Sequence, residues 1–209
     1  MSGLLILGAG GHGKVVAEIA SLIGKWNEIS FLDDNDELKI VSSYPVIGRI
    51  GDYRRYTEAN RSFFVAIGNN KLRLKLINQL LEEDLDVPVL QHPFSYISAA
   101  SKIDRGTVIM AGSVINTNVA VGKGCIINTS SSIDHDCILE DGVHISPGVH
   151  VGGTAMIGQY SWVCIGASVS NNISIGKNSI IASGAAVVQN VGENILAGGV
   201  PARFIKKLD

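Results

Sequence analysis

The 209 residues of the chain carry two different patterns of apolar and polar positions. Up to about residue 90, short apolar runs alternate with stretches whose apolar residues recur at helical spacing. These patterns predict strands at residues 4–7, 29–32, 63–67 and 87–90, and helices at residues 14–23 and 70–85. Such alternation is typical of a small parallel sheet with βαβ connections.

From residue 97 the apolar positions recur every six residues. All 16 positions of this series, from Ile97 to Val187, are Ile, Val or Leu, with no insertion. The residue two places before each of them is usually small, as at Ser113 and Ala155. A period of six indicates a β-solenoid, in which three hexads close one triangular coil of 18 residues. The aliphatic side chains then fill the interior, and successive coils stack about 4.8 Å apart.

The composition excludes several kinds of partner. The net charge is −2, with 17 basic and 19 acidic residues, so nothing in the charge favours nucleic acid or an anionic membrane surface. Glycines interrupt the first apolar stretch, which argues against a signal peptide, and no apolar run reaches the ~20 residues that span a bilayer. Three cysteines without CxxC spacing suit neither a disulfide framework nor a cysteine metal site. We expect a cytoplasmic protein without membrane insertion.

The 18-residue register brings His135 and Gly153 together, because residues 18 apart lie one above the other in the coil. A neutral imidazole can accept the proton of an attacking amine or hydroxyl. A backbone N–H beside it can stabilise the oxyanion that forms at a thioester carbonyl. Asp136 follows His135 and can fix its tautomer and raise its basicity. The alternative is that His135 is an ordinary exposed residue at a solenoid corner.

The same register stacks Gly148, Gly166 and Gly184 in one column. The column has two interpretations: turn geometry at a solenoid corner, or a strip without side chains against which a pantetheine arm can lie. His144 and His150 occupy the same place in consecutive hexads, so they belong to different faces and cannot form a metal pair within one solenoid. We therefore expect no metal, and we treat His144 as a candidate for the substrate or CoA pocket.

Residues 8–13, Gly-Ala-Gly-Gly-His-Gly, lie between a predicted strand and a predicted helix and match the dinucleotide fingerprint G-x-G-x-x-G. Asp33 and Asp34 follow about 20 residues later, where an acid that binds a ribose is expected. Only about 90 residues precede the hexads, which is too few for the second nucleotide-binding half of a nicotinamide dehydrogenase. A sugar nucleotide offers a pyrophosphate for the helix N-terminal amides and a ribose for the acid. A glycine-rich turn without a ligand is the remaining alternative.

Several segments together resemble one known family. They are Gly-Ala-Gly-Gly-His-Gly-Lys-Val-Val from residue 8, Phe-Leu-Asp-Asp from residue 31, Ala-Ile-Gly-Asn-Asn from residue 66 and His92-Pro93, followed by the hexads. The combination is similar to the PglD/NeuD group of hexapeptide-repeat acetyltransferases, which comprises UDP-4-amino-sugar N-acetyltransferases and sialic-acid O-acetyltransferases. The resemblance spans essentially the whole chain. It implies a left-handed β-helix, a homotrimer and acetyl-CoA as the acetyl donor.

The resemblance also implies roles for individual residues. His135 is then the catalytic base with Asp136 behind it, and the amide of Gly153 forms the oxyanion hole. Family members often have Glu after the histidine, so Asp136 departs from their pattern. With the glycine loop included, the residues expected to bind the sugar nucleotide are Gly10, Gly11, His12, Gly13, Asp33, Asp34, Gly68, Asn69, Asn70 and Asn128. With the glycine column included, the residues expected to bind acetyl-CoA are His144, Gly148, Gly166, Gly184, Gly199 and Pro201.

The sequence therefore predicts a small Rossmann-like α/β domain at residues 1–91 that binds a sugar nucleotide, followed by an all-β left-handed parallel β-helix at residues 92–209. The leading hypothesis is N-acetylation of the 4-amino group of a UDP-linked amino-dideoxy sugar by acetyl-CoA, for bacterial glycan or exopolysaccharide synthesis. O-acetylation of a sialic acid or a related sugar is a close alternative. A nicotinamide oxidoreductase, a sugar-nucleotide-binding scaffold and a metal-dependent hydratase resembling γ-carbonic anhydrase fit the residues less well.

Overall fold

The computed structural model describes residues 2–57 and 61–208, and the chain divides into two compact units, Met1–Pro93 (unit 1) and Phe94–Asp209 (unit 2). The boundary expected from the sequence, between residues 91 and 92, lies two residues before this division. Unit 1 contains a mostly parallel sheet with helices and unit 2 is a parallel β-helix, which confirms the predicted fold class. Within the described ranges, no helix has the length and apolar character of a membrane span.

Unit 1 has five strands, two α-helices and one 3₁₀-helix. The strands are β1 (Gly3–Leu7), β2 (Glu28–Leu32), β3 (Ile40–Val41), β4 (Tyr44–Gly48) and β5 (Arg61–Val65), and the α-helices are α1 (Gly11–Ile23) and α2 (Asn70–Glu82). The 3₁₀-helix spans Ile50–Tyr56. The sheet order is β3-β4-β2-β1-β5, and all neighbours are parallel except the antiparallel hairpin of β3 and β4.

Two features of unit 1 differ from the sequence-based prediction. The predicted strand at residues 87–90 is wrong, because the structure has a two-residue strand, Leu90–Gln91, that is not part of the five-stranded sheet. Pro88 lies inside the predicted stretch and lacks the N–H that a strand ladder requires. The hairpin of β3 and β4 and the 3₁₀-helix are additional to the predicted elements.

The central strand β1 is buried along its whole length. Residues 4–7 are each at most 1% exposed, which explains why this strand is a continuous apolar run instead of an alternating one. Leu7 pairs with both Leu32 of β2 and Val65 of β5. The carboxyl ends of these three parallel strands therefore meet at one edge of the sheet, where the loops with the predicted nucleotide-binding residues begin.

Two glycines of the loop after β1 are required by close backbone contacts. Gly8 has a φ of +107°, and a Cβ atom there would lie 2.7 Å from the carbonyl oxygen of Ala66. A Cβ atom on Gly13 would lie 2.1 Å from the carbonyl oxygen of Gly8. The loop thus folds against its own backbone, and both positions exclude any side chain.

We expect Gly13→Ala to lower the free energy of unfolding by at least about 2 kcal/mol, because its new methyl group must displace backbone. Gly11→Ala is the matched control, since a Cβ atom at Gly11 meets nothing within 4 Å. That change should be neutral or stabilise the chain by about 0.4–1 kcal/mol. Urea unfolding followed by the fluorescence of Trp26, in a Trp162→Phe background, measures both. Equal stability of the two variants would contradict this account of the loop.

Unit 2 is a triangular β-helix with three faces of stacked two-residue strands. Face 1 consists of Tyr96–Ile97, Val114–Ile115, Ser132–Ile133, His150–Val151, Ser168–Val169 and Ala186–Val187. Face 2 consists of Lys102–Ile103, Ala120–Val121, Ile138–Leu139, Met156–Ile157 and Ser174–Ile175. Face 3 contains Val108–Ile109, Ile126–Ile127, His144–Ile145, Trp162–Val163 and Ile180–Ile181, and continues with Ile195–Gly198 and the antiparallel strand Arg203–Lys207. Each strand pairs in parallel with the strand 18 residues away, as the hexad register predicts.

The interior of the β-helix is filled by the aliphatic residues of the hexads. Apart from Ile97 and Ile103 in the first coil, every member of the predicted series is at most 4% exposed. Small residues beside them link successive coils, because the hydroxyl of Thr107 donates to Gly122 O at 2.8 Å and accepts from the N–H of Cys125 at 3.0 Å. The small residues therefore satisfy backbone groups as well as making room.

The corners of the triangle contain one residue with a positive φ in each coil. We name the turns at residues 116–119, 134–137, 152–155 and 170–173 the 1–2 corner, because they join face 1 to face 2. The turns at residues 110–113, 128–131, 146–149, 164–167 and 182–185 form the 3–1 corner. In the 1–2 corner the positive-φ residues are Asn118, Asp136, Thr154 and Asn172, with φ between 59° and 62°. Asn and Asp tolerate this left-handed conformation better than most residues.

Candidate active site

His135 lies at the 1–2 corner between two carboxylates. Its Nδ1 atom lies 2.8 Å from Asp136 Oδ2, and both side chains are about half exposed. The backbone N–H of His135 donates to Asp134 Oδ1 at 2.8 Å. The hydrogen bond to Asp136 fixes the proton on Nδ1 and leaves Nε2 as the free acceptor. Although Asp136 is shorter than the Glu common in the resembled family, its carboxylate reaches the ring.

Gly153 lies directly above the imidazole of His135, as the 18-residue register predicts. A Cβ atom on Gly153 would lie 2.7 Å from both Cε1 and Nε2 of His135. The coils are joined at this level by the N–H of Thr154, which donates to the carbonyl oxygen of His135 at 2.9 Å. The glycine is thus required by the ring below it, and it leaves Nε2 open toward the outside of the corner.

The amide of Gly153 is available to a ligand. In the coil below, the corresponding amide of His135 is bound by the side chain of Asp134, but the residue before Gly153 is Gly152, which has no side chain. Within the described part of the chain, the N–H of Gly153 donates to no acceptor. Gly152 itself is fixed by packing, because a Cβ atom there would lie 2.2 Å from Asn171 Oδ1. The sequence analysis missed Gly152, although the pair of glycines opposite an Asp-His pair indicates it.

The charges around His135 favour its protonated form. The hydrogen bond to Asp136 is the largest cause that raises the pKa of His135 above 6.5, and the charge of Asp134 adds to it. The pKa of Asp136 is lowered, first by its hydrogen bond with His135 and then by that from Asn118. Both carboxylates are therefore ionised at neutral pH, and His135 is a stronger base than an isolated histidine.

We expect the imidazole of His135 to titrate with a midpoint above 6.5. Asp136→Asn should lower this midpoint more than Asp134→Asn does, because Asp136 contacts the ring whereas Asp134 acts through its charge. NMR titration of the ring protons measures the three midpoints, with the His135 signal assigned by its loss in His135→Gln. A midpoint that both substitutions leave unchanged would contradict the assignment of these causes.

Asn128 and His144 form a second cluster, which lies apart from His135 in the chain. Asn128 begins a turn of the 3–1 corner, and its Nδ2 atom lies 3.4 Å from Nε2 of His144 on face 3. The ring of Trp162 stacks on His144 with centroids 5.5 Å apart and an interplanar angle of 4°. The Trp162 Nε1–H donates to Ser146 Oγ at 2.7 Å, which fixes the stacked pair. Trp162 was not predicted, although it lies 18 residues after His144.

The glycine column lies at the same 3–1 corner. Gly148, Gly166 and Gly184 have φ between 67° and 68°, and a Cβ atom on any of them would meet nothing within 4 Å. The positive φ accounts for glycine through turn geometry, and the open space leaves the strip accessible, so both interpretations remain. Gly199, with a φ of +100°, and Pro201 are exposed near the end of the β-helix. Their contact with acetyl-CoA stays a prediction.

His150 lies on face 1, away from His144 on face 3, which confirms that the two histidines belong to different faces. It is exposed, and its Nδ1 atom lies 2.8 Å from Ser132 Oγ. Across residues 2–57 and 61–208, there is no group of three or more His, Cys, Asp or Glu side chains that could hold a metal ion.

In unit 1, the start of helix α1 is open to a ligand. Gly10 is the N-cap of α1, and its position has no side-chain cap. Gly10 and Gly11 are exposed, and a Cβ atom on either would meet nothing within 4 Å. The first amides of α1 are thus accessible to an anion such as a phosphate. Gly13 is buried beneath them, so its role is in the packing of the loop.

The two aspartates after β2 have different environments. Asp33 Oδ2 accepts the N–H of Ala9 at 2.7 Å, and its Oδ1 accepts the N–H of Asn35 at 2.9 Å. Asp33 therefore ties the glycine loop to the end of β2. Asp34 is exposed, and its Oδ1 accepts the N–H of Ile50 at 3.1 Å. Its second oxygen makes no hydrogen bond within the described residues, which leaves Asp34 as the acid with a group free for a ribose.

The loop after β5 is held by an arginine that the sequence analysis did not select. Arg73 is 1% exposed, and its guanidinium donates to the carbonyl oxygens of Ile67 and Gly68 and to Asn70 Oδ1 at 2.8–3.2 Å. The side chain of Asn69 caps α2 by accepting the N–H of Leu72 at 3.0 Å. The loop is therefore preformed, and the side-chain oxygens of both asparagines are used within it.

His12 is the least expected member of the glycine loop. Its Nε2 atom is buried and, among the described residues, has no hydrogen-bond partner. Burial, followed by the positive charge of Arg73, lowers the pKa of His12 from 6.5 to about 4. His12 is therefore neutral at physiological pH, with one ring nitrogen unsatisfied.

The burial of neutral His12 predicts that unit 1 loses stability in acid. Between pH 6.5 and about pH 4 the unfolded chain binds a proton at His12 that the folded chain does not, so the free energy of unfolding falls as the pH falls through this window. The loss attributable to His12 should reach at most about 3 kcal/mol. His12→Asn should reduce it, which urea unfolding at pH 7 and pH 4.5, followed by Trp26 fluorescence in the Trp162→Phe background, can measure. An identical pH dependence in the variant would contradict the assignment.

Comparison with known proteins agrees with this geometry. The PglD N-terminal domain family matches residues 3–80. The acetyltransferase domain of PglB from Neisseria gonorrhoeae FA1090, solved in complex with acetyl coenzyme A, is 35% identical with a TM-score of 0.95, and the match covers 97% of this chain and 98% of that chain. PerB from Caulobacter crescentus, in complex with CoA and GDP-perosamine, is 32% identical with a TM-score of 0.93, over 99% of this chain and 98% of that chain.

The chain belongs to the PglD-type family of hexapeptide-repeat acetyltransferases. Among curated relatives, UDP-N-acetylbacillosamine N-acetyltransferase from Bacillus subtilis is 34% identical over 119 residues, which are 53% of this chain. The chain spans between 26% and 52% of the length of the curated relatives that it matches. The solved relatives, in contrast, match it over nearly their whole length.

Proposed function

We propose that this protein transfers the acetyl group of acetyl-CoA to the 4-amino group of a UDP-linked amino-dideoxy sugar. The observation that carries the proposal is the position of Gly153 above the imidazole of His135, with an N–H that is free of other acceptors. A base and an oxyanion donor within one turn of the coil are the two groups that acyl transfer requires.

The proposed reaction uses these groups in sequence. The amine nitrogen attacks the thioester carbonyl carbon while Nε2 of His135 accepts an amine proton, and a C–N bond forms. The N–H of Gly153 donates to the oxyanion of the tetrahedral intermediate. When the intermediate collapses, the C–S bond breaks, and the CoA thiolate takes the proton from His135. Asp136 accepts the Nδ1–H of His135 throughout and stabilises the transient imidazolium.

Unit 1 is the proposed site for the sugar nucleotide. The open amides at Gly10 and Gly11 suit a diphosphate, and the free oxygen of Asp34 suits a ribose hydroxyl. The N. gonorrhoeae and C. crescentus relatives were solved with acetyl coenzyme A and with CoA and GDP-perosamine, which supports a nucleotide-linked amino sugar as the acceptor. The B. subtilis relative is named for a UDP-linked sugar, which favours UDP as the nucleotide.

We further propose that the active form is a homotrimer. Within unit 2, the cluster of Asn128 and His144 and the glycine column lie at or beside the 3–1 corner, whereas His135 lies at the 1–2 corner. If Asn128 and the column bind the same substrates on which His135 acts, the complete site requires two copies of the chain. Ile138 and Met156 on face 2, next to the catalytic corner, are 43% and 47% exposed, and a neighbouring copy would cover them. An active monomer in light scattering would refute this assembly.

The proposed reaction can be tested by release of free CoA thiol from acetyl-CoA with three acceptors. These are a UDP-4-amino-4,6-dideoxy sugar, the matching GDP-linked amine and free sialic acid. We expect release with the UDP-linked amine, and His135→Gln should abolish it. Release with the GDP-linked amine alone would correct the nucleotide, and release with sialic acid alone would replace N-acetylation by O-acetylation. No release with any of them would leave the proposed acceptor class without support.

A further inference from the structure

Two asparagines lie one coil below the catalytic corner and contact both of its carboxylates. Asn116 is 18 residues before Asp134, and its Nδ2 donates to Asp134 Oδ1 at 2.9 Å. Asn118 is 18 residues before Asp136, and its Nδ2 donates to Asp136 Oδ1 at 3.3 Å. Neither asparagine contacts His135 directly, so any effect that they have on the imidazole passes through a carboxylate.

The two oxygens of Asp136 have separate partners. Oδ2 accepts the Nδ1–H of His135 at 2.8 Å, and Oδ1 accepts the amide of Asn118. The backbone of Asp136 is held as well, because its N–H donates to the carbonyl oxygen of Thr117 at 3.1 Å. With its backbone and one oxygen fixed, the exposed carboxylate cannot rotate freely, and its other oxygen stays directed at the ring.

We infer that Asn118 is a positioning residue for acetyl transfer, which acts by holding the Asp136 carboxylate against Nδ1 of His135. The inference rests on the proposed function, in which His135 is the base. Asn118 thereby adds a third member to the pair of His135 and Asp136, from the preceding coil. The role requires an amide donor at a position with a φ of 59°, and asparagine supplies both.

The consequence for His135 follows from the groups around it. The charged groups at this corner are Asp134 and Asp136, both from the same turn as His135; the coil below contributes the amides of Asn116 and Asn118, and the coil above contributes Gly153 and Thr154. Without Asn118, the carboxylate of Asp136 spends less time on Nδ1. The imidazolium then loses stabilisation, and a fraction of the neutral rings has its proton on Nε2, where it cannot act as the base.

The test compares Asn118→Gly with Asn172→Gly in the full-length protein. Both residues lie in the 1–2 corner at nearly equal positive φ, 59° and 61°, which glycine adopts without strain, so both variants should fold. We expect Asn118→Gly to lower kcat by roughly ten- to a hundredfold, in the range lost when an outer partner of a functional histidine is removed. The KM for acetyl-CoA should be unchanged. Asn172→Gly should retain wild-type kcat.

Two further readouts separate positioning from a structural effect. In Asn118→Gly the midpoint of the His135 imidazole titration, measured by NMR, should shift to lower pH, which a general loss of packing would not produce. In an Asp136→Asn background, Asn118→Gly should cause little further loss, because its only route to His135 is already removed. Additive losses in this double-mutant cycle would overturn the inference. Asn118→Ala serves as a second variant in the same measurements.

The experiment also distinguishes this inference from the function on which it rests. If His135→Gln retains activity, His135 is not the base, and the proposed mechanism fails first. If His135→Gln is inactive while Asn118→Gly matches Asn172→Gly in kcat and in the imidazole midpoint, the mechanism stands and the inference alone is overturned.

Discussion

Replacing His135 by glutamine is expected to lower kcat by about 10²–10⁴-fold, the usual contribution of a general base. Glutamine keeps a polar side chain of similar length but cannot accept a proton at neutral pH. Because His135 is about half exposed and its side chain bonds only to Asp136, the substitution should hardly affect folding. The measurement is the rate of thiol release at saturating acetyl-CoA and acceptor, together with thermal unfolding.

His150→Gln is the matched control for this experiment. His150 is also an exposed histidine of the β-helix, but it lies on the flat of face 1 beside Ser132. We expect its substitution to leave kcat within a factor of about two, as for surface changes far from the chemistry. Equal losses in the two variants would show that removal of any exposed imidazole disturbs the β-helix, and the assignment of His135 as the base would then have no support.

The pairing of His135 with Gly153 could be predicted from sequence because the β-helix is periodic. An uninterrupted hexad series fixes which residues lie 18 apart, and backbone pairing at that distance is enforced by every coil above and below. The same arithmetic, applied downward from Asp136, leads to Asn118, and applied upward from His144 it leads to Trp162. These two residues were therefore predictable, but the sequence analysis followed the register only where a histidine or glycine suggested chemistry.

Other features could not be obtained from the sequence for physical reasons. The hairpin of β3 and β4 is short and largely exposed, so its apolar pattern is weak. Whether an aspartate holds its own loop, as Asp33 does, or is free for a ligand, as Asp34 is, depends on angstrom-scale geometry that a motif does not contain. The burial of His12 likewise results from packing around Arg73, and the fingerprint G-x-G-x-x-G gives no indication of it.

Asn128 illustrates the difference between a role and a location. Its expected role in the acceptor pocket came from family resemblance, which does not specify the corner of the coil at which a residue lies. In the structure Asn128 is beside His144, at another corner from His135. A solenoid offers few ways to bring such residues to one ligand within a chain, because its coils cannot fold back on each other. Asn128→Ala should therefore be tested in the assembled protein, where a neighbouring copy can supply it to a second site.

Replacing Gly153 by alanine is expected to lower kcat by about 10²-fold or more while leaving the fold intact. The new Cβ atom would lie 2.7 Å from Nε2 and Cε1 of His135, so the ring must move away from its present position. Because His135 is half exposed, the ring can swing outward without moving backbone, and the free energy of unfolding should change by less than about 1 kcal/mol. A displacement of the base by about 1 Å is sufficient for a loss of this size.

Gly192→Ala provides the matched control, because a Cβ atom there would also meet only a side chain, the Cδ1 atom of Ile195 at 3.0 Å, far from His135 in the sequence and outside the 1–2 corner. We expect it to retain wild-type kcat and similar stability. The NMR signal of His135 should change in Gly153→Ala, since the ring loses its place above Asp136, and should stay unchanged in Gly192→Ala. Normal kcat in Gly153→Ala would mean that neither the ring position nor the Gly153 amide limits the reaction, which would remove the observation on which the proposed function depends.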